Sequence, residues 1–180
     1  MLQITIPARE SYDEKNNEFV SIPEQTLKLE HSLVSLSKWE SKWCKCFFSK
    51  EPKSTEETLD YIRCMTLTQN VKPEVYMCLT NENIKQINDY IEAPMTATCF
   101  FGDDKQKPNR EKITSELIYY WMISLNIPME CQKWHLNRLL TLVRVCNVKN
   151  APPKKMSKGE IMSRNAALNA ARRKQFNSKG

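Results

Sequence analysis

The chain opens on a period of two. Leu2, Ile4 and Ile6 alternate with Gln3 and Thr5 until Pro7 stops the run, which predicts a strand with one buried face. The polar stretch 9–17 reads as a turn or loop, 18–22 as a second short strand, and Leu27, Leu29 and His31 as one face of a third. Residues 1–32 are thus expected to form a small β-meander packed on a helical body. From residue 33 the period lengthens: Leu33, Leu36, Trp39 or Glu40, Trp43 and Phe47 recur at helical spacing, predicting a helix over 33–48.

Local chemistry marks the next helices. Ser54 and Glu57 stand at the capping-box spacing, in which each side chain satisfies the other residue's backbone N–H, so a helix is expected from residue 55 until the approach of Pro73. Residues 73–79 can turn once more with proline in the first turn. Thr80 caps a further helix whose buried face is Ile84, Ile87 and Ile91, closed by Pro94. Residues 95–101, with Thr96, Thr98, Phe100 and Phe101, lean towards β but also suit an extended connector, and the charged segment 102–110 suits a surface loop.

Over 113–125 apolar residues fall on nearly every side, including Tyr119, Tyr120 and Trp121, which predicts a central helix buried on more than one face. After Pro128 a long helix over 129–148 is expected, with Leu136, Leu139, Leu140, Val143 and Cys146 along one side and Trp134 near it. The short 126–128 turn predicts that these two helices form an antiparallel hairpin. Asn150, Ala151, Pro152 and Pro153 break the pattern, and Ser157 with Glu160 repeats the capping box ahead of a helix over 158–176. That helix has a thin apolar stripe of Ile161, Met162, Leu168 and Phe176, too little to order it without a partner. The expected architecture is mainly α: an N-terminal β segment (1–32), a helical body (33–150) and a C-terminal basic helix (151–180).

Charge sharpens that division. The 180 residues carry a net +6, yet residues 1–148 hold 18 basic and 20 acidic side chains, a net of −2, whereas residues 149–180 hold 9 and 1, a net of +8. The basicity belongs to the tail, so general attraction to nucleic acid is not implied. Seven cysteines, an odd number without a Cys-x-x-Cys pair, read as free thiols in a reducing compartment. No signal sequence and no membrane-spanning apolar run is apparent.

Candidate chemistry is sparse. His31 and His135 belong to no metal-binding spacing, and Cys44 and Cys46, two apart on a predicted helix, would point about 200° apart. Glu56, Glu57 and Asp60 stand in the first turn of a helix, where carboxylates complement the helix dipole rather than share a proton. The three glycines are isolated, so no phosphate-cradling loop exists. No catalytic, cofactor or metal residue is expected. The candidates that remain bind partners. Trp39 and Trp43, one turn apart and flanked by lysines, belong to a core or to a docking face; Lys154, Lys155, Arg164, Arg172 and Arg173 in the tail suit an acidic or apolar protein surface better than nucleic acid. The small residues Ala166, Ala167, Ala170 and Ala171 allow close helix packing there.

Several stretches carry a family resemblance: LKLEHSLVSLSKWESKW at 27–43, YIRCMTL at 61–67, MTAT at 95–98, and 134–150 running on into PPKKMSK at 152–158. In these the chain resembles the tail assembly chaperones of long-tailed, siphovirus-like bacteriophages. The resemblance implies a non-enzymatic protein of the host cell cytoplasm that binds the hydrophobic, helical tape measure protein, keeps it soluble, and helps to recruit tail tube subunits. It implies no catalytic residue, and it is compatible with a homo-oligomer. A short form and a frameshifted long form are common in that family, and a basic extension after Pro152 and Pro153 would suit the long one. The competing class is a phage virion structural or head–tail morphogenesis protein, or a nucleic-acid-associated protein using the basic tail.

Overall fold

The computed structural model describes residues 1–13, 18–100, 112–152 and 157–177, with twelve regular elements among them. The chain is mainly helical with a small N-terminal β element. It divides into a unit of Met1–Asn147 and a second of Val148–Gly180.

Four strands replace the expected meander of three. β1 (Leu2–Ile6) pairs antiparallel with β4 (Gln25–Leu29), and β2 (Arg9–Asp13) with β3 (Glu18–Ile22). Both ladders keep one register: Leu2 lies opposite Leu29, Ile6 opposite Gln25, Arg9 opposite Ile22 and Asp13 opposite Glu18. They are two stretches of a single ribbon. The interruption falls where Pro7 and Pro23 withhold backbone donors, one on each strand. Residues 9–13, expected as loop, are therefore a strand, while 14–17 lie outside the described residues. The alternation identified the buried face correctly, with Ile4, Ile6, Leu27 and Leu29 all buried, but a face does not specify which strand lies alongside.

The α1 helix (Leu33–Trp43) starts at Ser32, whose hydroxyl accepts from the Ser35 N–H. It ends at Trp43 rather than at 48, because Cys44 adopts a left-handed conformation (φ 51°). The chain then folds back, and Phe47 packs its ring 4.2 Å from that of Tyr61. The α2 helix (Thr55–Met65) and the α4 helix (Asn81–Glu92) begin at Ser54 and Thr80, both with complete capping boxes, and α3 (Pro73–Met77) is a single proline-started stretch between them. Together with β1 and β4 these elements enclose one core of Ile4, Leu27, Leu29, Trp39, Ile62, Met65 and Ile87.

A second core forms around Leu33, Leu36, Ile118, Met122, Leu136 and Leu139. The α5 helix (Ser115–Ser124) supplies Ile118 and Met122 to it, yet Tyr120 and Ile123 are 63% and 67% exposed. The expectation of burial on more than one face is thus corrected. Apolar composition on all sides does not create partners for all sides, and α5 packs most closely on α1, not on the helix after it. The expected single helix over 129–148 is also divided, into a 3-10 helix (Met129–Lys133) and α6 (Leu136–Asn150). Trp134 is extended and His135 makes a β-bridge to Ser32, while the Leu136 N–H donates to the His31 carbonyl at 2.7 Å. A long-range backbone pairing therefore breaks a helix that periodicity alone would have continued. Residues 95–100 form neither strand nor helix, with Met95 left-handed (φ 49°), and the expected loop at 102–110 lies outside the described residues.

In the second unit α7 (Lys158–Phe176) starts at Ser157 with its capping box to Glu160 and ends on a left-handed Asn177. None of its residues is buried.

Candidate functional site

The two tryptophans, which the sequence leaves to a core or to a docking face, are anchors of the fold. Trp39 is 1% exposed and its Nε1 donates to the Glu57 carbonyl at 2.8 Å, so of the two alternatives it takes the core and presents no surface to a partner. Trp43 is half-buried and donates to Asp60 Oδ2 at 2.9 Å. Lys154 and Lys155 lie outside the described residues; Arg164, Arg172 and Arg173 are exposed on α7.

Trp43 leads instead to an open cleft of about 560 Å³ between the end of α1, one side of α2, and α3. Glu56, Leu59, Asp60 and Arg63 recur at three- and four-residue spacing and so share a face of α2. Leu59, Pro73, Tyr76 and Met77 give the cleft apolar walls, and Met77 is 74% exposed. At its base the buried Asp60 accepts from Lys42 Nζ as well as from Trp43, with Arg63 Nη1 at 3.8 Å. Burial pushes the Asp60 carboxyl up, but the bonds from Lys42 and Trp43 and the charges of Lys42 and Arg63 outweigh it and hold its pKa below the ordinary value. A carboxylate so fully engaged organises the cleft and is not placed to exchange protons. On the rim, Glu56 and Glu74 are exposed and neither joins an ion pair among the described residues. The cleft can hold an apolar side chain with a cationic neighbour.

A second assembly was invisible in the sequence. His31 and His135, more than a hundred residues apart, meet edge to face with ring centroids 5.2 Å apart, 2% and 5% exposed. Tyr61 Oη lies 2.6 Å from His31 Nδ1. The Tyr90 carbonyl lies 3.0 Å from His135 Nε2, and the Asn137 N–H donates to His135 Nδ1 at 3.3 Å. A carbonyl only accepts and an amide only donates, so these neighbours select the neutral imidazole with its proton on Nε2. The Tyr90 hydroxyl in turn donates to Glu30 at 2.7 Å. Burial, with His135 beside it, lowers the pKa of His31 to about 4; burial also lowers that of His135, against the pull of the Tyr90 carbonyl and Glu30. Both rings are structural, filling the seam between the two cores with satisfied polar groups. The backbone bridge from Ser32 to His135 brings them together, and nothing local in sequence encodes it.

The cysteines form no disulfide, and no group of three or more His, Cys, Asp or Glu that could hold a metal exists among the described residues. No helix among them is long and apolar enough to cross a membrane. The chain matches no family model, no curated protein and no solved structure. Its own surfaces must therefore point to its function.

Proposed function

We propose that the chain is a non-enzymatic tail assembly chaperone of a long-tailed bacteriophage, which shields apolar helices of the tape measure protein and aids tail tube assembly. The observation that carries this reading beyond the sequence resemblance is the exposed side of α5. A helix that reads Leu117, Ile118, Tyr119, Tyr120, Trp121, Met122, Ile123 commits only Ile118 and Met122 fully to the core and leaves Tyr120 and Ile123 largely in solvent. Large apolar groups kept exposed at helical spacing suit transient contact with other apolar helices.

Coexpression with the tape measure protein of the same genome tests this. The tape measure should become more soluble and copurify, and a Tyr120→Ser, Ile123→Asp double variant should lose both effects while keeping its helical circular dichroism. No gain in solubility and no copurification would end the chaperone reading. A second reading, a nucleic-acid-associated virion protein, draws on Arg172, Arg173 and Lys174 exposed on α7. It requires salt-sensitive retention of DNA that disappears when those three residues are replaced.

A further inference from the structure

Two surfaces of this chain have matching chemistry. Most helical stability in proteins comes from packing an apolar face, and the 19-residue α7 buries nothing. Its large apolar side chains are nonetheless gathered: at ~100° per residue Ile161, Met162, Leu168 and Phe176 fall within about 120° of arc. Phe176 is 73% exposed, and Arg172 and Arg173 precede it by one turn, one on either side of its direction. The cleft beside Asp60 is the converse. It has apolar walls of Leu59, Tyr76 and Met77 and two rim carboxylates, Glu56 and Glu74, outside any ion pair among the described residues. It belongs to a body of net −2, whereas the tail carries +8.

We propose that this cleft receives α7 of a second copy of the chain, with Phe176 between Leu59, Tyr76 and Met77 and with Arg172 and Arg173 against Glu56 and Glu74. Lys42 and Arg63 share the one Asp60 carboxylate, and with Glu56 and Glu74 the charged side chains lining the cleft carry a net −1, the rim carboxylates being those outside any ion pair among the described residues. A helix offering an aromatic anchor between two arginines fits that arrangement in both shape and sign. Reciprocal exchange of α7 between two copies closes the contact as a dimer and leaves no unpaired cleft or helix.

Sedimentation velocity on the full chain over a hundredfold range of concentration tests the inference. The mass should rise from one copy to two. Phe176→Ser and Met77→Asp, both at exposed positions and therefore compatible with folding, should each abolish the rise. Glu56→Lys with Glu74→Lys should weaken association at least tenfold, Arg172→Glu with Arg173→Glu likewise, and the fourfold charge exchange should restore it. A chain that stays monomeric throughout, or a dimer indifferent to these substitutions, overturns the inference. Neither result bears on the chaperone reading, which is decided by copurification with the tape measure protein.

Discussion

Glu40 and Ser115 are joined across the second core: the Glu40 Oε2 accepts the Ser115 backbone N–H at 2.7 Å, in the first turn of α5. Its other oxygen accepts the Phe47 N–H at 2.8 Å. One buried carboxylate therefore fixes both the chain reversal after α1 and the start of a helix far along the sequence, where the dipole of α5 favours negative charge. Replacing it with alanine leaves two backbone donors without their acceptor.

Glu40→Ala should accordingly cost about 2–4 kcal/mol, the range for removing a charged partner from buried hydrogen bonds. Glu40→Gln, which keeps an acceptor for one donor, should cost less. Urea unfolding followed by tryptophan fluorescence measures both, and an alanine variant as stable as the parent would contradict the role.

The histidine pair predicts how stability depends on pH. The unfolded chain takes up a proton on each histidine near 6.5, whereas folded His31 resists until about 4, and the folded pKa of His135 is also lowered. The unfolded state therefore binds more protons in that window. The contribution is complete above pH 6.5 and is lost as the pH falls towards 4, amounting to about 3 kcal/mol for His31. Unfolding midpoints at pH 7.5 and 4.5 should differ accordingly, and His31→Asn should flatten the profile.

Capping separates the two units. Ser54→Ala removes the acceptor for the Glu57 N–H and the box on a helix that contributes Tyr61, Ile62 and Met65 to the first core, so it should lower the stability of the body by about 1 kcal/mol. Ser157→Ala removes the same device from α7, which buries nothing, and should trim helical signal without moving the unfolding midpoint of the body. Equal shifts from the two variants would mean that the units unfold together.

Thiol reactivity should follow burial. Cys44 and Cys99 are exposed and should react with a thiol reagent in the native protein, while Cys78 and Cys131 should react only on unfolding. Burial, with Asp60 nearby, raises the pKa of Cys64, so this thiol should lag behind both exposed ones at neutral pH. Counting labelled cysteines by mass spectrometry before and after denaturation checks the order.

The features legible in the sequence were those that depend on neighbours three or four residues away. Ser54 with Glu57, Thr80, and Ser157 with Glu160 start their helices where their spacing places them. The buried face of β1 was equally plain, since alternation is local too. Everything that turns on a distant partner was hidden: β1 pairing with β4 rather than a near neighbour, the helix broken at Trp134 and His135 by Ser32, and the meeting of His31 with His135. The candidate cleft shows both sides of this. Its α2 residues share a face by simple spacing, but their juxtaposition with α3 depends on Tyr76 and Val75 entering the first core.

The α1 helix has two employers. Leu33 and Leu36 belong to the second core and Trp39 to the first, so each cluster of buried side chains relies on the other for a wall. Loss of either core strips a face from the helix that holds the other, and a partly melted body would expose large apolar groups on both sides at once. Two cores built on a shared helix should therefore unfold in one cooperative transition, and a truncation through α1 should leave neither half of the body standing.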